Sequence, residues 1–397
     1  MISISNFYTL FWTIYFPTCI AFNDIPGFSN VDEIMTVVLI GFTIMNYSNK
    51  KTNMEPWKEY MAFLGVLVFY VVYSLILAVN VSGAVWLDLV QQIRPYSILY
   101  CTWILAPRFV QWQKKTVLIV MILTLFAWIL YHPETVADEN AEFPVLGQLA
   151  ICTGMAYYLF TKDTLQNRCV ALVLVCTGLF APKMKFVGEV VCFVALLFFI
   201  RKKFNMRSPS TVVSLVFIIT LCVIITWERF DAYYVRGWEN EALARPMTYK
   251  TSWNILCDYI PFGSGMGTFA CNAAWRFYSP LYPQYGLDKV WGLDAGGGFI
   301  CDAFYPVIIA QFGIAGVILF LWFWKRRLNN FSQINDIKYY RVAMMAFFCL
   351  AIESVADTSY LSGKGMGYFM LIGLCLNANR GLIKFKRPRI TQISTDD

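Results

Sequence analysis

The sequence has few of the residues that soluble enzymes commonly use for chemistry. It contains one histidine, and charged residues occupy only 14% of its 397 positions. Its 12 cysteines lie mostly inside apolar runs without metal-ligand spacing, which indicates small hydrophobic side chains. No glycine-rich phosphate loop follows a strand pattern. These shortages argue against a zinc site and against a nucleotide-phosphate site, so no metal and no cofactor is predicted.

Apolar residues instead dominate the chain, at 58% of positions with a mean hydropathy of +0.55. About 20 apolar residues in a helix cross the hydrocarbon core of a bilayer. The pattern predicts an all-α, polytopic membrane protein with about 12 spans, at 7–23, 31–47, 60–79, 84–106, 116–132, 146–161, 168–181, 186–200, 210–227, 299–324, 340–357 and 364–379. The pair 168–181 and 186–200 is short, which leaves a re-entrant hairpin as an alternative. The N-terminus lacks a basic stretch and a cleavage site, so the first run is predicted to be a helix.

The net charge of +7 is distributed in a way that argues against nucleic-acid binding. Basic residues cluster on alternate loops, whereas the intervening loops, such as 132–142, are acidic or neutral. This is the positive-inside pattern of membrane proteins. It predicts cytoplasmic termini, a basic tail (380–389) at the membrane surface and an outer location for Trp227–Gly298. The basic clusters are at 50–58, 108–115, 162–168, 201–207, 325–327 and 380–389.

The long polar stretch Trp227–Gly298, called the outer segment below, interrupts the series of spans. Residues 245–260 have helical spacing, Pro261 is predicted to end that helix, and a glycine-rich turn follows at 262–269. We interpret 1–397 as one membrane domain in which 228–298 is a periplasmic loop with short helices that forms part of the site. Cys257 and Cys271 either pair in an oxidising compartment or remain free. The chain has no clear internal repeat, which disfavours an inverted-repeat transporter.

Basic residues on the outer side form the first candidate site. Lys183 and Lys185 lie in a very short turn and suit a phosphate or diphosphate. The alternative is that both reach to lipid headgroups. Arg245 and Arg276, with Arg229 and Arg236 as further candidates, have the planar forks that bind diphosphate oxygens. Their alternative is ion pairing inside the outer segment, with Glu228, Asp231, Glu239 or Glu241.

Three further features complete the candidates. Asp302, expected one turn into the tenth span, has the chemistry of a base for a sugar hydroxyl, or else is a carboxylate favoured by a helix N-terminus. Arg94 lies near the middle of a span, where it either pairs internally or binds an anionic ligand. Tyr278 and Tyr282 either stack on sugar rings or belong to an aromatic belt at the membrane surface.

Several of these runs resemble the O-antigen polymerase/ligase superfamily of the Wzy and WaaL types. The run RPMTYKTSWNIL at 245–256 followed by IPFGSGMGTF at 260–269 is similar to the Arg…Trp…Pro-[LF]-Gly-x-Gly-x-Gly-x-Phe run of that family. The run DAFYPVIIAQFGIAG at 302–316 resembles the helix that follows it, and PKMKFVG at 182–188 stands where members carry a basic motif. With the layout of the spans, the likeness covers most of the chain.

The resemblance implies a GT-C-like fold and a metal-independent glycosyltransferase with a polyprenyl-diphosphate-linked glycan as donor. Arg245, Lys183 and Lys185 match the positions that hold the diphosphate in the family. Ligase-type members carry a histidine where this chain has Asp302, which favours a Wzy-type polymerase of O-antigen or capsular repeat units. The alternatives are a ligase that transfers glycan to lipid A core, and a flippase or other transporter of lipid-linked oligosaccharide.

The same resemblance implies where the protein works and what it meets there. The expected setting is the bacterial inner membrane, with the active site on the periplasmic face. The expected partners are undecaprenyl-diphosphate-linked oligosaccharide, the lipid bilayer and a protein that regulates chain length. No nucleic acid is expected.

Overall fold

The structure is a computed structural model, and it describes residues 2–22, 31–47, 54–132, 144–181, 183–200 and 227–378 with a few isolated positions between them. Most of the predicted span 210–227, the acidic loop 133–142 and the basic tail 380–389 therefore lie outside the described residues. Within these ranges the regular secondary structure is helical.

The helices of the described part are numbered here in chain order. They are α1 (Ile4–Tyr15), α2 (Val31–Tyr47), α3 (Met54–Leu77), α4 (Ser82–Leu105), α5 (Gln111–Tyr131), α6 (Pro144–Phe160), α7 (Leu165–Cys176), α8 (Met184–Val194), α9 (Trp227–Phe230), α10 (Ala244–Asp258), α11 (Asn272–Arg276), α12 (Leu281–Gln284), α13 (Tyr305–Ser332), α14 (Ile337–Ala356) and α15 (Met366–Leu376). The predicted helices at 31–47 and 245–260 are confirmed by α2 and α10.

Four of the described helices are long and apolar enough to cross a membrane. They are Glu55–Leu77, Gln111–Tyr131, Tyr305–Ser332 and Ile337–Ala356, and shorter apolar helices lie at Val145–Phe160, Leu165–Phe180 and Gly363–Leu376. Apolar side chains exposed on α3 and α5, such as Val68, Ile76 and Leu123, fit a lipid-facing surface. The chain therefore has the helices of a membrane-embedded protein, and the total of 12 spans stays a prediction.

The helix α13 is broken near its N-terminal end. Gly313 adopts φ +61° and ψ −160°, so the helical hydrogen bonds stop there. The carbonyls of Ala310 and Gln311 accept hydrogen bonds from the backbone N–H groups of Ser264 and Gly265, at 2.9 and 3.0 Å. These donors belong to residues Pro261–Phe269, called the glycine turn below. The carbonyl groups that lose their helical partners at the break in α13 thus find donors in the outer segment.

The glycine turn is also fixed to α3 and α4. The Met266 N–H donates to Ser74 Oγ at 2.7 Å, and the Gly267 N–H donates to Asp88 Oδ2 at 2.9 Å. Gly263, Gly265 and Gly267 all have positive φ, between +73° and +91°. Side chains are disfavoured in that backbone region, and the carbonyl of Ala84 leaves no room for a Cβ at Gly267. The turn is therefore a packed joint between three helices rather than a surface loop.

We expect Gly263→Ala to destabilise the protein. A Cβ at this position would lie 2.5 Å from the carbonyl oxygen of Ala310, and φ is +80°. The positive φ alone costs about 1–2 kcal/mol for a residue with a side chain, and the contact adds to that. The thermal midpoint in detergent measures the loss. The control is Gly298→Ala, where a Cβ meets nothing within 4 Å. Equal midpoints for the two variants would contradict this role for the turn.

Candidate functional site

The first element of the site is an ion pair between the outer segment and the turn that precedes α13. Arg245, in the first turn of α10, places Nη2 2.5 Å from Oδ2 of Asp302. The guanidinium also lies over the ring of Tyr233, 4.6 Å from its centroid. Its Nε is buried and makes no hydrogen bond with the described residues. Arg245 is therefore fixed in place while one of its donors stays unused.

Asp302 lies in a different place from the one predicted. The helix α13 begins at Tyr305, so Asp302 precedes the helix and the prediction of a position one turn into the span is wrong. Pro306 explains the shift, because proline favours the first turn of a helix. Burial raises the pKa of the Asp302 carboxyl above its ordinary value, and Arg245 offsets that rise only in part.

A second ion pair lies beside the first. Lys185, in the first turn of α8, places Nζ 2.5 Å from Oδ2 of Asp357, which directly follows α14. The Lys185 side chain is 9% exposed, so in this structure its ammonium group interacts with Asp357 rather than with solvent. Lys183 is half-buried at the residue before α8. Lys185 is thus a neighbour of a carboxylate rather than an open anion-binding group.

Hydrogen bonds around the end of α14 join the two ion pairs. The carbonyl of Val355 accepts from the hydroxyls of Tyr234 and Tyr249, at 3.1 and 3.0 Å. The hydroxyl of Thr358 donates to the carbonyl of Cys301 at 3.0 Å. Cys301 and Thr358 each adjoin one of the paired aspartates, Asp302 and Asp357. The outer segment, the start of α13 and the end of α14 therefore form one wall.

Two further carboxylates lie one helical turn below the second ion pair. Glu189 follows Lys185 by four residues and shares its face of α8. Glu353 lies in the last turn of α14, four residues before Asp357. Both glutamates are fully buried. Glu353 accepts hydrogen bonds from Gln148 at 2.7 Å and from Tyr368 at 3.0 Å. The cluster thus extends from the outer segment into the helices.

Arg94 adopts the internally paired alternative. Its Nη1 lies 2.5 Å from Oδ2 of Asp32, its Nη2 pairs with Glu33, and Nη1 also donates to the carbonyl of Leu361 at 3.3 Å. Leu361 belongs to the connection between α14 and α15. Arg94 therefore positions the segment that carries Lys364, rather than presenting a charge to solvent.

The remaining predicted residues lie apart from the ion pairs. Arg276 is exposed at the end of α11, which packs against α4, and no ion pair joins it to a residue within the described ranges. Tyr282 is fully buried, stacks on Phe269 and accepts a hydrogen bond from the Ala270 N–H at 3.1 Å. Tyr278 is half-buried and stacks on Tyr282. These rings stabilise the outer segment, and a sugar-stacking role for Tyr282 would require an exposed face.

Two other arginines and two cysteines of the outer segment were also predicted as candidates. The side chain of Arg229 lies outside the described residues, and Arg236 pairs with Asp231 near the surface. Cys257 and Cys271 are both free thiols. Trp291, at 77% exposed, is a more accessible ring than either tyrosine.

Sequence reasoning missed three charged residues of the cluster. The predicted span 340–357 includes Glu353 and Asp357, although a carboxylate in such a span is itself a signal of function. Burial raises the pKa of the Asp357 carboxyl, and the charges of Lys185 and then Lys364 more than offset that rise, which makes Lys364 the third residue. Its position between two glycines, Gly363 and Gly365, was the available signal.

Neither family models nor curated proteins match this chain.

We expect the Lys185–Asp357 pair to show strong coupling in a double-mutant cycle. Lys185→Met or Asp357→Asn alone leaves a poorly hydrated group without its partner, whereas the double variant removes both. The double variant should be more stable than the sum of the single losses predicts, by about 0.5–3 kcal/mol. The thermal midpoints of the wild type, the two single variants and the double variant in detergent measure this coupling.

The control cycle uses Arg236→Met and Asp231→Asn. The Arg236 side chain is 78% exposed, so solvent screens this pair and little coupling is expected. Additive losses at Lys185 and Asp357 would show that their contact contributes nothing specific.

Proposed function

We propose that this protein is a membrane glycosyltransferase that joins polyprenyl-diphosphate-linked oligosaccharide repeat units. The observation that carries the proposal is the partly buried Arg245–Asp302 pair, which joins the outer segment to the turn before α13 and leaves Nε of Arg245 unused. A carboxylate beside a fixed arginine can serve a reaction that needs both a proton acceptor and stabilisation of a departing anion. The resemblance of 182–188 and 245–316 to the O-antigen polymerase/ligase superfamily supports the same reaction.

The proposed step transfers a glycan between two oxygens. A hydroxyl oxygen of the acceptor sugar bonds to the anomeric carbon of the donor, and its proton moves to the carboxylate of Asp302. The bond between that carbon and the diphosphate oxygen breaks, and its electron pair leaves with the diphosphate. Arg245 stabilises this charge, together with Lys185 in the first turn of α8 and Lys183 just before that helix. Attack from the side opposite the leaving group inverts the anomeric carbon.

Substrate binding must loosen the two ion pairs in this mechanism. Arg245 and Lys185 are paired with aspartates in the present structure, so a diphosphate competes with Asp302 and Asp357 for them. Once the diphosphate binds Arg245, the ion pair between Arg245 and Asp302 becomes weaker. Because burial raises the pKa of Asp302, the weaker pairing makes that carboxylate a stronger base.

The remaining parts of the proposal are a GT-C-like fold with 12 spans, a site on the periplasmic face of a bacterial inner membrane and a protein that regulates chain length. A polymerase is favoured over a ligase because the single histidine, His132, lies at the end of α5 and not at the start of α13. A chain that only transports its lipid-linked substrate would have no use for Asp302 as a base.

The decisive experiment is reconstitution of the purified chain in liposomes with lipid-linked repeat units. We expect a ladder of products, and we expect Asp302→Asn and Arg245→Ala to lower the rate by at least about 100-fold. Asp288→Asn and Lys289→Ala, two exposed changes in the same segment, should keep the wild-type rate.

The other outcomes separate the alternatives. Transfer only to a lipid A core acceptor would indicate a ligase. Translocation of the lipid-linked substrate without a new glycosidic bond would indicate a flippase. Full activity of Asp302→Asn would remove that residue from the chemistry.

The rate should also depend on pH through Asp302. Its raised pKa means that the carboxylate form, which accepts the proton, is lost as the pH falls through a value above the ordinary aspartate value of about 3.9. The acid limb of the pH–rate profile should therefore have its midpoint above that value. Asp288→Asn should leave the limb unchanged, whereas Asp302→Glu should move it. An identical limb in Asp302→Glu would assign the titration to another group.

A further inference from the structure

A groove separate from the charged cluster lies between α3 and α13, with α4 at its base. Its volume is about 610 Å³, within the size range of roughly 300–1,000 Å³ that is typical of small-ligand sites. The middle of the groove is apolar. Trp322 and Leu319 are 55% and 39% exposed, so the groove is open at the protein surface. Its apolar lining includes Phe63, Val66, Leu67, Leu319, Phe320 and Phe323.

One end of the groove is charged, with three cations and two carboxylates. Arg326 pairs with Glu59 at 2.8 Å and with Glu55 at 3.4 Å. Arg327 is fully buried, also pairs with Glu59, and lies 4.7 Å from the ring centroid of Trp103. The two glutamates cannot balance all three cations, because Lys58 also lines this end. Lys58 is exposed and Arg326 is 37% exposed, so the excess positive charge is accessible.

The length of the groove matches one leaflet of a bilayer. Lys58 and Tyr70 are separated by 12 positions on the continuous helix α3, or about 18 Å at 1.5 Å per residue. Half the hydrocarbon core is about 15 Å thick. At the far end the hydroxyl of Tyr70 donates to the carbonyl of Phe312 at 2.9 Å and closes the groove. A chain long enough to cross the whole bilayer would not fit.

The charged end is also remote from the Arg245 cluster. The glycine turn contacts α3 at Ser74, which is 16 positions, or about 24 Å, from Lys58. A lipid whose headgroup lies at Lys58 therefore inserts from the opposite end of the helices. Exposed apolar grooves mark ligand or membrane contacts, and accessible basic residues at a membrane surface attract anionic headgroups.

We propose that this groove binds one anionic glycerophospholipid of the bilayer. Its phosphate contacts Lys58 and Arg326, and one acyl chain lies between α3 and α13. The site is independent of the proposed transferase reaction, since none of its lining residues belongs to the Arg245 or Lys185 ion pairs.

The test uses the full chain in nanodiscs of phosphatidylglycerol and phosphatidylethanolamine, released into native mass spectrometry. We expect one retained phosphatidylglycerol. Ala62→Trp, which adds a ring at the rim of the groove, should lower retention at least tenfold. Val68→Trp, on the same helix but outside the groove and 63% exposed, is the matched control. Retention by Ala62→Trp equal to that control would overturn the proposal.

The headgroup contact has its own pair of variants. Lys58→Ala combined with Arg326→Gln should abolish the preference for phosphatidylglycerol over phosphatidylethanolamine, while Lys115→Ala, an exposed lysine outside the groove, should keep it. Equal retention of the two lipids by the unmodified chain would overturn the anionic assignment. Displacement of the retained phosphatidylglycerol by polyprenyl phosphate added to the nanodiscs would overturn the assignment to a glycerophospholipid.

A second measurement needs no variant that might fold poorly. Phosphatidylglycerol with a photoreactive group in its acyl chain should label the unmodified chain mainly at 62–70 and 312–323. Labelling spread evenly over the exposed apolar surface would overturn the proposal.

Discussion

The joint between the glycine turn and the broken helix α13 is the constraint on which the rest of the structure depends. A helix inside a membrane cannot leave carbonyls without partners, because no water is present to replace them. Ser264 and Gly265 supply donors from the outer segment, and Tyr70 supplies one from α3. The outer segment is consequently part of the helical body, and α10, which carries Arg245, is held at a fixed distance from Asp302.

Charges in this chain are arranged in separate groups that the fold keeps apart. Arg245, Lys185 and their aspartates lie where the outer segment contacts the start of α13 and the end of α14. Arg326 and Arg327 share Glu59 near the start of α3. Arg94, Asp32 and Glu33 form a third group that ties α2 and α4 to the connection before α15. Each group pairs opposite charges in direct contact, which lowers the cost of placing ions beside apolar helices.

The sequence predicts the helices better than it predicts the site, for a physical reason. Long apolar runs and the periodicity of 245–260 are local properties, so α2 and α10 lie where the pattern puts them. The start of α13 was misplaced because the run at 299–304 is as apolar as the helix that follows, and only Pro306 marks the boundary. Their positions next to apolar spans and in the outer segment mark Arg245, Lys185 and Asp302 as unusual charges without giving their partners. Asp357 is 172 positions from Lys185, and such pairings depend on packing.

The break in α13 also has a consequence for how the protein is made. Its partners, α3, α4 and the glycine turn, all precede it in the chain and are synthesised first. When α13 enters the membrane, the carbonyls of Ala310, Gln311 and Phe312 are satisfied only if the earlier parts are already assembled around them. Insertion of this helix is therefore tied to tertiary folding, and the order of residues along the chain is also a workable order of assembly.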